Sequence, residues 1–116
     1  MNYKEKLIEK KRVKGLFSSS YPQGCIKITK QESELHARVK VQLAHFLLSN
    51  DFEVWSECSF KLGKGRADLV ALHSSGISYC FEVLNTESLG EFYKKHYPID
   101  AVPVIAKEFD YNTFRI

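Results

Sequence analysis

Arg66-Ala67-Asp68-Leu69-Val70-Ala71-Leu72, a break at His73 to Gly76, and then Ile77 to Asn85 form the stretch whose reading decides the fold. Both runs alternate with the period of two that a β-strand requires, so they read as a hairpin carrying Asp68 on its first strand and Glu82 on its second. Each acid sits among core-building neighbours: Leu69, Val70 and Ala71 around the first, Phe81 and Val83 around the second. Taking a carboxylate out of water at such a place costs several kcal/mol unless it is paired or bound to a cation. Two carboxylates offering only oxygen suit a hard divalent cation, Mg2+ or Mn2+.

Upstream of the hairpin, Thr29-Lys30-Gln31-Glu32 has the form of a capping box, and Leu35, Val39, Leu43, Phe46 and Leu47 follow at helical spacing. A helix is expected from about Lys30 to Ser49. At about 100° per residue, Glu32 and His36 fall within the arc of the apolar stripe, whereas Glu34 faces water. Glu32 is thus a candidate third member of the acidic site, or simply the residue that closes the capping box. His36 is a candidate at the edge of the site, or a core-edge histidine with its hydrogen bond satisfied.

Between helix and hairpin, Phe52 to Phe60 alternates as a strand, with Phe52, Val54, Ser56, Cys58 and Phe60 expected on one face and Trp55 and Glu57 on the other. Glu57 is then expected to point outward. Lys61-Leu62-Gly63-Lys64-Gly65 reads as a flexible basic loop or an ordinary turn, bringing Lys64 and Arg66 beside the acids. Beyond the hairpin, Ser88 and Glu91 suggest a second capping box and a helix through about Tyr97, stopped by Pro98. Ala101 to Ala106 is a short strand whose Pro103 favours an edge or a strand start. The tail from Lys107, with Phe109, Tyr111 and Phe114, folds back or meets a partner.

The N-terminal segment carries the basic charge. Residues 1–31 hold eight Lys and Arg against two Glu, a surplus of six in a chain whose formal charge is +3. Lys4 to Val13 reads as a loosely docked helix, and residues 15–25 as a loop. Lys10, Lys11, Arg12 and Lys14 could neutralise phosphates, or form no more than a solvated helix face. At 116 residues one globular domain is expected, made of a basic arm over 1–29 and a body over 30–116. Cys25, Cys58 and Cys80 are odd in number and far apart, which argues against a disulfide framework or a zinc site and fits a reducing cytoplasm. No apolar run approaches the roughly 18 residues of a membrane span, so no membrane partner is expected.

The expected order is helix, strand, strand, strand, helix, strand. With Glu32 on the helix, Arg66-Ala67-Asp68-Leu69-Val70 at one acid and Phe81-Glu82-Val83-Leu84 at the other, the chain resembles the PD-(D/E)XK nuclease superfamily over about residues 30 to 107. Within it, the run from Glu32-Ser33-Glu34-Leu35-His36 through Glu57, Asp68 and Glu82 to Phe92 and Tyr97 is most similar to the competence-protein CoiA-like branch. The resemblance implies an α/β (α+β) fold with a restriction-endonuclease-like three-layer core: an αβββαβ order and a central mixed sheet of about four strands flanked by helices. One departure stands out. The family usually has a lysine two residues after the second acid, and here that residue is Leu84. Some relatives bring a lysine from elsewhere, and Lys64, Lys94 or Lys95 are available; Asn85 could hold a water.

The implied activity is metal-dependent hydrolysis of a DNA phosphodiester. Asp68, Glu82 and the carbonyl of Val83 would hold Mg2+ (or Mn2+), with Glu32 and Lys64 completing the catalytic set. Lys64, Arg66, Lys94, Lys95 and the basic arm would contact duplex, branched or single-stranded DNA, and a homodimer would serve a nuclease that cuts both strands. Two other readings compete: a catalytically inactive DNA-binding protein on the same fold, and a small interaction protein whose acids pair with Arg66 and the lysines.

Overall fold

Five strands form one mixed sheet whose spatial order follows the chain, the first four antiparallel and the last parallel to its neighbour. The computed structural model describes residues 2–63 and 65–116, so Lys64 lies outside the described residues. Along the chain come α1 (Tyr3–Lys14), β1 (Phe17–Ser19), α2 (Glu34–Leu48), β2 (Phe52–Phe60), β3 (Arg66–His73), β4 (Ser78–Leu84), α3 (Leu89–Tyr93) and β5 (Ala101–Ile105). The expected helix, three strands, helix and strand are all present. Phe17–Ser19, expected as loop, adds a fifth strand because it lies along the far half of β2, Phe17 opposite Phe60 and Ser19 opposite Cys58.

Helices cover both faces. On one, Val39, Leu43, Ala44 and Leu47 of α2 pack on Val54, Leu69, Ala71, Phe81 and Val83. The C-terminal tail closes this layer, with Phe114 edge-on to Phe46 at 5.1 Å and the Tyr111 hydroxyl 2.6 Å from His45 Nδ1. On the other face, Val13 of α1 and Phe17 pack with Cys58, Phe60, Val70, Leu72 and Cys80. The fully buried Val13 docks α1 on this face of the sheet. Among the described residues, no helix is long and apolar enough to cross a membrane.

Several boundaries differ from expectation. Helix α2 begins at Glu34 rather than Lys30. Its N-cap is Ser33, whose Oγ accepts the His36 N–H at 3.0 Å. Glu32 does accept the Thr29 N–H at 2.7 Å, as in a capping box, but the turn it closes precedes the helix. Helix α3 ends at Tyr93 rather than Tyr97. In a continued helix, residue 97 would stand about 140° around the axis from Phe92. Instead the chain unwinds and Tyr97 stacks on Phe92 at 5.9 Å and meets Phe60 edge-on at 6.1 Å.

The expected faces of β2 are also corrected. Phe52 and Val54 face α2, and the Ser56 hydroxyl bonds the segment at Cys25 and Lys27, but Cys58 and Phe60 face the α1 side with Trp55. The reversal occurs at Glu57, whose φ of 50° is left-handed and costs about 1–2 kcal/mol in a residue with a Cβ. Opposite it, β3 reverses too: Ala67 faces the α1 side and Leu69 the α2 side. Ser56–Leu69 and Cys58–Ala67 keep one register across this kink, with Glu57 and Asp68 between them.

Candidate functional site

The ladder between β3 and β4 runs from Leu72–Ser78 to Leu69–Phe81. Where the next pair would be Asp68 and Glu82, the Asp68 carboxylate accepts the Val83 N–H at 2.7 Å. Beyond that point β4 continues along β5 through Glu82–Pro103 and Leu84–Ile105. The two acids therefore meet where β3 and β4 part, as the hairpin reading requires.

Their charges are in conflict. Burial first, and then the negative charge of Asp68, push the Glu82 carboxyl up to about 8. Lys95 and the Tyr97 hydroxyl, 3.2 Å from Glu82 Oε1, act the other way without cancelling the effect.

From the α2 side, His36 brings its two ring nitrogens to two carboxylates: Nδ1 lies 2.6 Å from Glu32 and Nε2 3.4 Å from Asp68. Only the imidazolium has N–H groups at both positions. The Asp68 interaction, opposed by burial and helped by Glu32, raises its pKa to about 9. Glu32 does more than close a turn. Its Oε1 also takes Lys40 Nζ at 2.8 Å, and its Oε2 takes the Thr29 N–H. Burial works against its charge, but Lys40, Thr29 and His36 together bring its pKa down to about 2.

Lys40 was not anticipated. Its side chain is fully buried, with Nζ between Glu32 at 2.8 Å and Glu57 at 3.0 Å. Burial opposes its charge, but the hydrogen bonds to these carboxylates outweigh that and raise its pKa. Glu57 consequently points inward, and its other oxygen lies 3.5 Å from Arg66. The signal was in the spacing: Glu32, His36 and Lys40 stand four apart, His36 and Lys40 on one side of α2 and Glu32 just before its N-cap.

Glu32, His36, Glu57, Arg66 and Asp68 line a cleft of about 450 Å³ together with Ser18, Ser20, Tyr21, Lys27, Thr29 and Ser59. Lys27 and Tyr21 were missed because nothing in a loop sequence says which way it crosses the sheet. Asn85, a candidate for the site edge, is not part of the cleft lining; its Nδ2 donates to Ser33 Oγ at 2.8 Å and ties the end of β4 to the start of α2.

The other expected contacts are dispersed. Arg12 pairs with Glu9, and both border the turn end of the hairpin near Gly76 and Ser78, away from the acids. Lys14 reaches Glu53 and the Trp55 ring. Lys10 and Lys11 lie on α1 with them, and Lys94 pairs with Glu91. Lys95 pairs with Glu87 at 2.7 Å, and both Glu82 and Asp68 act on its charge.

No protein-family model, curated protein or solved structure matches the chain.

What the site can do is decided by its own chemistry. Glu32 and Glu57 are occupied by Lys40 and Arg66, and Asp68 by His36 and the Val83 N–H, while Glu82 is met by the Tyr97 hydroxyl. Among the described residues, no group of three or more His, Cys, Asp or Glu side chains is arranged to hold a metal ion. The pair of hard oxygen donors fits a divalent cation nonetheless, because their mutual repulsion is relieved by a proton on Glu82 or by a bound positive charge. Cys58 and Cys80 take no part: burial pushes both thiols up to about 12.

Proposed function

We propose that the chain is a Mg2+-dependent (or Mn2+-dependent) deoxyribonuclease of PD-(D/E)XK type, with Asp68, Glu82 and the Val83 carbonyl as the metal-holding set. One observation carries this reading: two carboxylates with conflicting charges meet where β3 and β4 part, beside a cleft whose rim bears Lys27 and Arg66. A bound divalent ion would polarise the phosphoryl oxygen and acidify a water molecule. The chain's own residues draw in the phosphodiester through Lys27 and Arg66 and hold Asp68 in place through the Val83 N–H and the charged His36. Lys40 braces α2 against β2, keeping Glu32 and through it His36 at their stations.

Leu84 is 3% exposed and carries no proton. For the positive charge that the superfamily usually places there, Lys95 is the candidate on which both acids act, and its ammonium is paired with Glu87 at 2.7 Å. The buried leucine also favours a second reading, a DNA-binding protein on the same fold that does not cut. Incubating labelled single-stranded, duplex and branched DNA with wild type and with D68A/E82A, with and without Mg2+ or Mn2+, separates the two. Metal-dependent cutting by wild type alone supports the nuclease. Retention of DNA without cutting in either protein supports the binding module, and no retention at moderate salt overturns both.

A further inference from the structure

The cleft adjoins the acid pair rather than enclosing it: Asp68 is part of its lining, whereas Glu82 is not. Its chemistry differs from that of the pair. Three of its lining residues carry negative charge, Glu32, Glu57 and Asp68, and two carry a fixed positive charge, Lys27 and Arg66. Lys40 lies buried against Glu32 and Glu57, so three cations face three anions without counting His36. Lys27 and Arg66 supply the positive charge that an entering anion meets.

The rest of the lining is suited to more than a bare phosphate. Tyr21 presents a half-buried ring with Lys27 Nζ 5.0 Å from its centroid, and the exposed Ser18, Ser20 and Ser59 offer hydroxyls around it. An aromatic surface beside a cation and hydroxyls is the combination that receives a base together with its sugar and phosphate. At about 450 Å³ the cleft lies within the roughly 300–1,000 Å³ of sites that hold small ligands. A base still paired within a duplex cannot enter such a pocket without leaving the stack.

We infer that the cleft bounded by Tyr21, Lys27 and Arg66 binds one unpaired nucleotide of a DNA strand, beside the acid pair of Asp68 and Glu82. The inference rests on the DNA-directed reading above and narrows its substrate to single strands, flaps and frayed ends. Tyr21 is then a recognition residue that stacks on the base, and Lys27 holds the adjoining phosphate.

The test uses the full chain in EDTA, so that nothing is cut, with fluorescence anisotropy of a labelled oligothymidylate and of a blunt duplex. Wild type should bind the single strand at least tenfold more tightly than the duplex. Y21A should lose about tenfold or more on the single strand and less than twofold on the duplex, as expected for loss of one base stack. Y21F should keep the affinity, and K27Q, which leaves the Tyr21 ring in place, should weaken single-strand binding and flatten its salt dependence. Equal affinity for the two DNAs, or single-strand binding unmoved by both Y21A and K27Q, overturns the inference. Competition by thymidine monophosphate as effective as that of the unlabelled oligomer also overturns it, because the site would then serve free nucleotides. Failure of the nuclease reading is separately visible: Tyr21-dependent binding with no metal-dependent cutting leaves the inference standing and removes only the chemistry.

Discussion

Asp68 takes the Val83 N–H at 2.7 Å, and with that bond a side chain replaces the ladder of β3 and β4. A carboxylate is thereby fixed beside Glu82 by the backbone of the strand that carries Glu82. The conflict between the two acids is thus a property of the fold rather than of a mobile pair.

D68N should show this directly. The amide keeps an acceptor for the Val83 N–H but removes the charge that helps raise Glu82. The Glu82 titration, followed by carboxyl carbon NMR, should move to below pH 8, and metal-dependent cleavage should be lost. An unchanged titration would mean that burial alone sets the acidity of Glu82.

Y97F tests the same group from the other side. Tyr97 donates to Glu82 and favours its charged form, so its removal should raise the Glu82 pKa further. The ring and its stacking on Phe92 survive, which limits the stability loss to about 0.5–1.5 kcal/mol for one hydrogen bond. A lowered Glu82 pKa would contradict the assigned donor.

K40M should be severe. It leaves Glu32 and Glu57 facing each other without their shared cation, a change that costs about 3–5 kcal/mol for a buried pair. Urea denaturation measures the loss, and K40M/E32Q/E57Q, which removes the orphaned charges, should recover most of it. A single variant as stable as wild type would mean that Lys40 is dispensable as a brace.

Stability should depend on pH through three of these groups. His36, raised from 6.5 to about 9, contributes fully below pH 6.5 and loses its contribution as pH rises through 9. Glu82, raised from 4.5 to about 8, acts in the same sense, complete below pH 4.5 and lost as pH rises through 8. Glu32, lowered from 4.5 to about 2, contributes above pH 4.5 and loses its share as pH falls through 2. Without divalent cations the urea midpoint should therefore be highest near pH 4.5 and fall most steeply between pH 6.5 and 8. E82Q should flatten the part of that fall due to Glu82, and an alkaline limb of undiminished slope would remove Glu82 from the account.

The alternation in β3 and β4 and the apolar spacing of α2 were legible because each records a local period: two residues per strand repeat, 3.6 per helical turn. Together they offered Asp68 and Glu82 as a pair on one hairpin, with Glu32 and His36 as candidates on the buried side of a helix. Period alone failed at Glu57, where a left-handed residue reverses the strand. The reversal lets Glu57 reach Lys40, an interaction with a residue 17 positions away that no local pattern encodes.

By itself, then, the sequence determined the order of helices and strands after residue 30 and the hairpin that carries both acids, since hydrophobic period and turn chemistry act over a few residues. Only the tertiary structure decided where α2 starts, that Phe17–Ser19 joins the sheet, that Lys40 is buried, and that the Tyr21 and Lys27 loop walls the cleft. Each depends on groups far apart in the chain. Whether a lysine lies in the core or in water is settled by the carboxylates that the fold brings to meet it.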